Sequence, residues 1–325
     1  MFGGSTDYPE YFVGQRVNGA VLGMAITKYC YVGVQTMPVG QEAVPGVPLR
    51  YRVQYSRVDD CNDPEDIRHP AVRAAIKYFR PQGALEFHAF GDLPGRSGLG
   101  GSSAFTVGLL LAMRQHLGLG PNGDGAEDLA SEAIAFERYM IGETVGYQDQ
   151  IFAATGGVLH ITFHPDGSAT MQRVNASPAR LQELADSLLL VYSGSMRDAH
   201  VMAAKQVARV GDNSSYLERL TALADAGRVV LEGDGDLADI GALLDVGWKL
   251  KRSLTPDISS PTIDALYARG IECGAIGGKL LGAGGGGFML FFVPAEKRER
   301  FIEAIGAPCV RFSIDFEGAR TIIRE

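Results

Sequence analysis

Glycine and serine residues that could bind a phosphate are concentrated in one short stretch. Residues 93–105 read LPGRSGLGGSSAF, with four glycines followed by the adjacent Ser102 and Ser103. The stretch lies between an alternating segment, Ala84–Phe90, that predicts a strand, and an apolar run, Phe105–Leu117, that predicts a helix. A glycine-rich turn before a helix presents backbone N–H groups and a positive helix end to an anion. We therefore predict a phosphate-binding turn whose serines cap the helix or reach a metal ion.

The alternative interpretation of this stretch is a tight strand-to-helix turn with a serine cap. The stretch is not a Walker P-loop, because no Gly-Lys-Ser or Gly-Lys-Thr occurs in it, and its glycine order is a poor match to a dinucleotide-binding turn. The candidate phosphate-binding residues are Pro94, Gly95, Arg96, Ser97, Gly98, Leu99, Gly100, Gly101, Ser102 and Ser103.

Two carboxylates occur at polar positions among apolar neighbours, Glu137 and Asp149. Mg²⁺ prefers one or two carboxylates together with phosphate oxygens, and Glu137 could serve as such a ligand. Asp149 could accept a proton from a substrate hydroxyl or orient that hydroxyl. The alternatives are a solvated helix face for Glu137 and a helix cap for Asp149.

A second glycine-rich segment, residues 282–287, holds five glycines in six residues between two β-like segments. It could allow close approach to a bound ligand, with Gly284 and Gly285 as candidate substrate-binding residues. The alternative is a hairpin with a bulge. Arg197 is a candidate clamp for a substrate phosphate, since arginine binds such groups bidentately, or it begins a surface helix.

The remaining patterns predict the elements that must position these residues. Ala126–Met140 is predicted as the helix that carries Glu137, and Ala20–Val34 is predicted as strand. Turn residues 164–167 predict a hairpin. The other predicted elements are strands at Arg50–Ser56, Val158–Phe163, Ala169–Val174, Leu188–Tyr192, Val310–Ile314 and Ala319–Ile323, and helices at His69–Phe79, Ala199–Val210, Tyr216–Glu232, Asp236–Leu254, Thr262–Gly274 and Ala295–Ile305.

Composition predicts a globular protein of one large or two ordinary domains, and we place a boundary between residues 175 and 176. The net charge of −8 argues against a nucleic-acid partner. No apolar run is long enough to span a membrane, and no secretory signal is seen. The four cysteines are scattered, which is typical of reduced thiols in the cytoplasm. The histidines lack metal-ligand spacing, so no zinc site is expected.

The N-terminal segment, MFGGSTDYPEYF, contains a glycine pair followed by the polar turn Ser5, Thr6, Asp7 and Tyr8. Together with residues 94–104 and 282–287, in this order, it resembles the three motifs of the GHMP sugar and mevalonate kinase superfamily. The resemblance spans nearly the whole chain. Within the superfamily these residues are most similar to kinases of D-glycero-D-manno-heptose 7-phosphate, with L-fucokinases as close relatives.

The resemblance implies an α+β GHMP kinase fold. Residues 1–175 would form an N-terminal α/β domain with a left-handed β-α-β unit, and residues 176–325 a C-terminal ferredoxin-like domain. It also implies ATP and Mg²⁺ as cofactors. Ser102 and Glu137 would be the magnesium ligands and Asp149 the catalytic aspartate. The implied sugar-binding residues are Ser5, Thr6, Asp7 and Tyr8.

Two positions depart from the superfamily pattern. Arg96 occupies a place where the loop usually has a small residue. A basic residue usually precedes the Gly-Gly turn, near the catalytic aspartate, and none is present here. Either the first strand is truncated, or a cation such as Lys28 or Arg197 replaces it.

The resemblance therefore implies a kinase that phosphorylates the anomeric hydroxyl of heptose 7-phosphate and so serves the formation of nucleotide-activated heptose for a surface polysaccharide. The alternatives are an L-fucose or galactose 1-kinase, and a catalytically silent sugar-binding module. A cytoplasmic location is expected, and a homodimer is left open.

Overall fold

The structure is a computed structural model, and it describes residues 1–37, 42–44, 47–95, 97–120, 125–195, 204, 207–208, 210–211, 213–254 and 258–323. Its α-helices are α1 (Pro9–Phe12), α2 (Pro70–Phe79), α3 (Gly101–His116), α4 (Ala126–Ala135), α5 (Gln148–Thr155), α6 (Pro178–Ser187), α7 (Ser214–Glu232), α8 (Ala238–Leu254), α9 (Pro261–Glu272) and α10 (Arg298–Ile305). A π-helix, Phe136–Ile141, continues α4, and 3₁₀ turns occur at Pro64–Asp66 and Ala295–Lys297.

The strands are β1 (Gly19–Met24), β2 (Cys30–Thr36), β3 (Glu42–Val44), β4 (Val47–Pro48), β5 (Tyr51–Gln54), β6 (Val58–Cys61), β7 (Leu85–Gly91), β8 (Val158–Phe163), β9 (Ala169–Arg173), β10 (Leu188–Tyr192), β11 (Gly277–Leu280), β12 (Phe288–Phe292) and β13 (Cys309–Val310).

The first half of the chain contains two sheets that carry the predicted motifs. One has the order β2-β7-β5-β6, and within it β5 and β7 are parallel, with Tyr51 opposite Leu85. The chain between these two strands passes through β6 and helix α2, as a parallel pair requires a crossover. The other sheet, β1-β8-β9, is antiparallel throughout. Strand β7 leads into the phosphate-binding turn, and α3 follows it and packs on β2.

The second half of the chain folds around one antiparallel sheet with the order β11-β12-β10-β13. In chain order its strands are β10, β11, β12 and β13, with helices α7 to α9 before β11 and α10 before β13. This is the strand order and the β-α-β-β-α-β succession of the ferredoxin-like motif. The predicted mixed α/β fold with an N-terminal and a C-terminal part is confirmed, whereas the boundary at residues 175 and 176 and the left-handed crossover stay predictions.

The core of the second half explains why its strands read as continuous apolar runs. Every residue of β12 and the first four of β10 are buried, because helices cover the sheet. Trp248 of α8 and Phe301 of α10 are completely buried in this core. The packing is tight enough that a methyl group on Gly270 of α9 would lie 2.3 Å from the ring of Phe291.

Most of the predicted elements are confirmed, two are wrong, and the predicted strand Val310–Ile314 is confirmed only at Val310, since β13 is Cys309–Val310 and Ile314 forms an isolated bridge. Ala20–Val34 is not one strand: β1 ends at Met24, residues 25–29 form an irregular segment with a bridge from Ile26 to Ile314, and β2 begins at Cys30. Ala319–Ile323 is not a strand, since no described strand pairs with it, and Ile322 and Ile323 are exposed. Most of the predicted helix at 199–210 lies outside the described residues. No described helix combines the length and the apolarity needed to span a membrane.

Candidate functional site

The phosphate-binding turn joins β7 to α3 in the arrangement that the glycine spacing predicts. Gly100 lies in the left-handed region with a φ of 70° and is the N-cap of α3. Among the described residues, the backbone N–H groups of residues 98–103 donate to no backbone acceptor, as expected for the start of a helix. Pro94 and Gly95 are exposed and Ser97 is buried, whereas Arg96 lies outside the described residues. The turn thus leaves several N–H groups free for an anion.

Asp149 lies directly against this turn. It is in the first turn of α5, and a methyl group built on Gly100 would be 3.0 Å from its carboxyl carbon. A side chain at position 100 would therefore crowd the carboxylate at this distance. The predicted proton acceptor and the predicted phosphate-binding N–H groups, 49 positions apart in the sequence, are therefore neighbours in the fold.

The N-terminal polar turn reaches the same place from another side. The buried Thr6 hydroxyl bonds the carbonyls of Gly3 (2.8 Å) and Ala20 (2.9 Å) and so fixes the turn on β1. The Asp7 carboxylate accepts hydrogen bonds from the N–H groups of Ser5 (3.1 Å) and Gln148 (3.3 Å). Because Gln148 immediately precedes Asp149, these bonds connect the predicted sugar-binding turn to the start of α5.

Glu137 extends into the interior from the π-helix that follows α4. Its Oε2 accepts hydrogen bonds from the Ser103 hydroxyl (3.1 Å) and from the Gln150 amide (2.6 Å). Its Oε1 is buried and has no hydrogen-bond partner among the described residues. Ser102, the predicted magnesium ligand, is exposed one residue before Ser103 on α3. The fold therefore joins Glu137 to the turn through Ser103, and the role of Ser102 stays a prediction.

These carboxylates form an acidic cluster, which we define as Asp7, Glu137 and Asp149. Burial, followed by the charges of Asp7 and Glu137, raises the pKa of Asp149 from 3.8 to about 7. Burial also raises the pKa of Asp7 and that of Glu137. A carboxylate with a pKa near neutrality is suited to accept a proton during a reaction. Among the described residues, no group of three or more His, Cys, Asp or Glu side chains is arranged to bind a metal ion by itself.

The second glycine-rich segment, residues 282–287, packs on the phosphate-binding turn. A methyl group on Gly282 would lie 2.5 Å from the Cα of Gly98, and one on Gly287 would lie 2.3 Å from the carbonyl oxygen of Ser97. Gly285 donates its N–H to the carbonyl of Ile258 (2.9 Å), and Gly284 lies against the same residue. The predicted role of Gly284 and Gly285 in substrate binding stays a prediction. Arg197, predicted as a phosphate clamp, lies outside the described residues.

Two lysines near the site were missed by the sequence analysis, Lys251 of α8 and Lys279 of β11. Both are buried, and Lys251 interacts with Asp7, which raises its pKa against the lowering by burial and by Lys279. A signal in the sequence could have found Lys251. It continues an apolar stripe on α8, formed by Ile240, Leu244 and Trp248 at helical spacing, where a charged residue is unexpected.

Comparisons with known proteins agree with this architecture. Residues 69–157 match the GHMP kinases N terminal domain, and residues 222–311 match the GHMP kinases C terminal domain. The chain belongs to the GHMP kinase family, and it is an ATP-dependent phosphotransferase with an alcohol acceptor. The first match includes the phosphate-binding turn, Glu137 and Asp149, and the second includes residues 282–287.

Several individual proteins are similar to this chain over most of its length. The chain is 28% identical, over 94% of its length and 90% of the relative, to D-glycero-alpha-D-manno-heptose 7-phosphate kinase of Campylobacter jejuni. It is also 28% identical to the bifunctional fucokinase/GDP-fucose pyrophosphorylase of Arabidopsis thaliana, of which it spans 29%. Among solved structures, a D-glycero-D-manno-heptose 1-phosphate kinase from Bacteroides thetaiotaomicron superposes with a TM-score of 0.75 at 20% identity, covering 98% of this chain and 94% of that one. This last likeness supports the fold.

Proposed function

We propose that the protein transfers the γ-phosphoryl group of ATP to the anomeric hydroxyl of D-glycero-D-manno-heptose 7-phosphate. The observation that carries the transfer chemistry is the position of the Asp149 carboxylate against Gly100, beside N–H groups that can hold phosphate oxygens. The choice of acceptor is supported by the name of the Campylobacter jejuni relative and by the coverage of both chains in that comparison. The four free cysteines support a reducing, cytoplasmic setting for the reaction.

The residues around Glu137 fit a magnesium ion. The Oε1 atom of Glu137 is buried and has no hydrogen-bond partner among the described residues, so it has a lone pair that a cation could use. One carboxylate, a serine hydroxyl and phosphate oxygens form a donor set that Mg²⁺ accepts. We propose Glu137 and Ser102 as its ligands. When bound, the ion neutralises charge on the phosphate oxygens.

In the proposed reaction the side chains of this chain orient the acceptor and remove its proton. Asp7, with Ser5, Thr6 and Tyr8 shaping its turn, binds sugar hydroxyls. An Asp149 carboxylate oxygen accepts the proton of the anomeric hydroxyl while the oxygen of that hydroxyl forms a bond to the γ-phosphorus. The bond from the γ-phosphorus to the β,γ-bridging oxygen breaks, and ADP carries away its electron pair. The N–H groups of residues 98–103 stabilise charge on the phosphate oxygens throughout the transfer.

A panel of acceptors tests the proposed substrate. Heptose 7-phosphate, heptose, L-fucose, galactose and mevalonate are compared by ADP release with saturating Mg²⁺ and ATP. We expect kcat/KM for heptose 7-phosphate to exceed that for each other acceptor by at least about 100-fold, the discrimination that a site built for a charged group achieves. Product analysis should show phosphate at the anomeric position. Equal activity with heptose and heptose 7-phosphate would contradict the requirement for the 7-phosphate.

A second candidate is a hexose 1-kinase acting on L-fucose or galactose. The fucokinase from Arabidopsis thaliana favours it, since its identity to this chain equals that of the heptose 7-phosphate kinase. The same panel separates the two candidates, because a fucokinase would turn over L-fucose faster than either heptose. Asp149 and Glu137 would keep the same proposed roles with either acceptor.

A further inference from the structure

The second half of the chain places two lysine side chains in the interior, close to the acidic cluster. Lys251 is 5% exposed and Lys279 is 9% exposed. The ammonium group of Lys251 donates to the carbonyl oxygen of Gly282, and that of Lys279 donates to the carbonyl of Met1 (2.8 Å). Among the described residues neither lysine forms an ion pair with a carboxylate. Among the described residues, the direct hydrogen-bond partner of each buried ammonium group is therefore a backbone carbonyl.

Such an arrangement is costly for stability. Lysine is almost never fully buried unless it is paired, and an apolar residue of similar volume at a buried charged position is often neutral or stabilising. Lys251 continues the apolar stripe of Ile240, Leu244 and Trp248, so a leucine or methionine would suit the packing of α8. A functional reason for the charge must therefore lie in what the ammonium group contacts.

That contact leads directly to the phosphate-binding turn. Gly282, whose carbonyl accepts the bond from Lys251, lies so close to Gly98 that a methyl group on Gly282 would be 2.5 Å from the Cα of Gly98, and one on Gly98 would be 2.9 Å from the carbonyl oxygen of Leu281. Gly98 and Gly100 supply part of the row of free N–H groups, and Gly100 adjoins Asp149. A shift of the Gly282 carbonyl would therefore move the surface on which the turn rests.

We propose that Lys251 is a positioning residue for phosphoryl transfer: its ammonium group holds the Gly282 carbonyl and thereby fixes the second glycine-rich segment against the phosphate-binding turn. Lys251 acts through backbone atoms and need not touch ATP or the acceptor. The inference rests on the nucleotide-binding part of the proposed function and is independent of which sugar is the acceptor.

The charges that face Lys251 make its ionisation responsive to the site. Burial and Lys279 lower the pKa of Lys251 to about 7, and Asp7 of the sugar-binding turn opposes this change. Burial lowers the pKa of Lys279 to about 8. Because an uncharged amine makes a weaker hydrogen bond to a carbonyl, the hold on Gly282 weakens as pH rises through this range. Phosphate oxygens bound nearby would favour the charged form.

The primary test compares Lys251→Met with Lys249→Met. Lys249 is on the same helix, but it is exposed and pairs with Asp245, so its loss should leave binding and turnover within about two-fold. For Lys251→Met we expect roughly 10- to 100-fold weaker binding of a magnesium–ATP analogue, the size of a lost hydrogen bond to a charged group. Calorimetric titration of the folded protein without a sugar measures this directly. An unchanged dissociation constant would overturn the proposal.

A double-mutant cycle with Gly282→Ala tests the route through the carbonyl. The added methyl group pushes on Gly98, so the single variant should also weaken nucleotide binding. If both changes act through the same contact, the double variant should bind the nucleotide no more weakly than the single variant that has the larger loss of affinity. Losses of binding free energy that add up in the double variant would overturn the proposal. Because the titration contains no acceptor, a failure of the heptose proposal would leave this result interpretable.

The conservative variant Lys251→Arg supplies a readout that a purely structural role would not move, and it serves if Lys251→Met does not fold. The guanidinium group stays charged over the working pH range. We expect nucleotide affinity of the wild type to fall between about pH 6.5 and about pH 9 more steeply than that of the folded Lys251→Arg variant, because Asp149 and Lys279 titrate in both proteins and Lys251 only in the wild type. An identical pH dependence in both proteins would overturn the proposal.

Discussion

The two glycine-rich segments of this protein look alike in sequence and differ in what their backbones do. The turn at residues 97–103 precedes a helix, and its N–H groups donate to no described backbone acceptor. In the segment at 282–287, by contrast, Gly285 and Gly287 donate to the carbonyls of Ile258 and Ser195. The first segment has hydrogen-bonding capacity left for a ligand, whereas the second uses much of its own to hold the protein together. Glycine content by itself therefore does not identify a phosphate site; the element that follows the glycines does.

The two segments also have opposite electrostatic surroundings. The acidic cluster of Asp7, Glu137 and Asp149 lies beside the first, and the buried Lys251 contacts the second. Substitutions beside the first segment should therefore act on the proton transfer, whereas those in the second should act through the backbone that supports the first.

The largest expected effect is that of Asp149→Asn. The amide cannot accept the hydroxyl proton, so kcat should fall by about 10²- to 10⁴-fold, the usual contribution of a general base, while nucleotide binding persists. An ADP-release assay measures kcat, and a nucleotide titration measures binding. Asp166→Asn, on the exposed hairpin between β8 and β9, is the matched control. Retention of most of the turnover by Asp149→Asn would disprove the assignment of the base.

Next in size is Gly100→Ala, which sharpens the role of the first segment. Alanine must adopt a φ of 70° and place its methyl group 3.0 Å from the Asp149 carboxyl carbon. We expect kcat/KM to fall roughly 100-fold, since small misplacements of reacting groups have effects of this size. Gly118→Ala is the control, because Gly118 has a similar φ of 66° but no neighbour within 4 Å.

Both alanine variants should lose about 1–2 kcal/mol of stability from the left-handed backbone. If the two variants have the same melting temperature and Gly118→Ala loses as much activity as Gly100→Ala, then backbone strain, and not the contact with Asp149, causes the loss of activity.

A smaller effect on chemistry and a larger one on stability are expected for Gly287→Ala in the second segment. Its methyl group would lie 2.3 Å from the Ser97 carbonyl oxygen at a φ of 100°, so the backbone must shift. We expect a loss of about 2–4 kcal/mol in the free energy of unfolding, as for other overpacked and strained positions. Urea unfolding measures it. A Gly287→Ala variant that is fully stable but inactive would show that the second segment acts on the chemistry and not on stability.

The smallest effect concerns pH. Because Asp149 must be ionised to accept a proton, kcat/KM should rise with pH and level off above about 7. Asp7→Asn removes the charge that, after burial, raises the pKa of Asp149 most, so the residual activity of this variant should level off at a lower pH.

The raised pKa of Asp149 has a matching effect on stability. The folded protein favours the protonated carboxyl, so the stabilisation is present at low pH and is lost as pH rises through about 7. Asp149→Asn should therefore be more stable than the wild type at pH 8, by on the order of 1 kcal/mol. If the difference in unfolding free energy between wild type and Asp149→Asn is the same at pH 5 and at pH 8, Asp149 is not desolvated.

Much of the fold followed from local patterns. The alternation in 84–90 and the apolar helix after residue 105 located β7 and α3, and the run 188–192 matches β10. The break between β1 and β2 could not be predicted, because Ile26, Thr27 and Tyr29 are β-formers and the strand is interrupted by tertiary contacts of residues 25–27 with residues 313–315. The helical pattern through Glu137 likewise gave no hint of a π-helix.

The site was predictable where chemistry leaves a pattern and not where it depends on long-range packing. Gly100 and Asp149 could be singled out, but their proximity follows from how α3 and α5 pack. The hydrogen bond of Ser103 to Glu137 could not be foreseen, since either serine could face inward until the phase of α3 is known. Lys251 was missed because a lysine in a polar-looking sequence, WKLKRS, reads as exposed.

The π-helix at Phe136–Ile141 has one further consequence. The N–H of Gly142 donates to the carbonyl of Glu137 five positions earlier, at 3.1 Å, so this stretch holds one more residue than an ordinary turn would. Removing a single residue between Arg138 and Gly142 would let the coil tighten to regular pitch and rotate the segment that follows through about 100° relative to Arg138, which ties this coil to Glu10 of α1. A shortened chain of this kind would keep its helical content but change how the segment that leads to α5 is placed relative to Glu137, the proposed magnesium ligand.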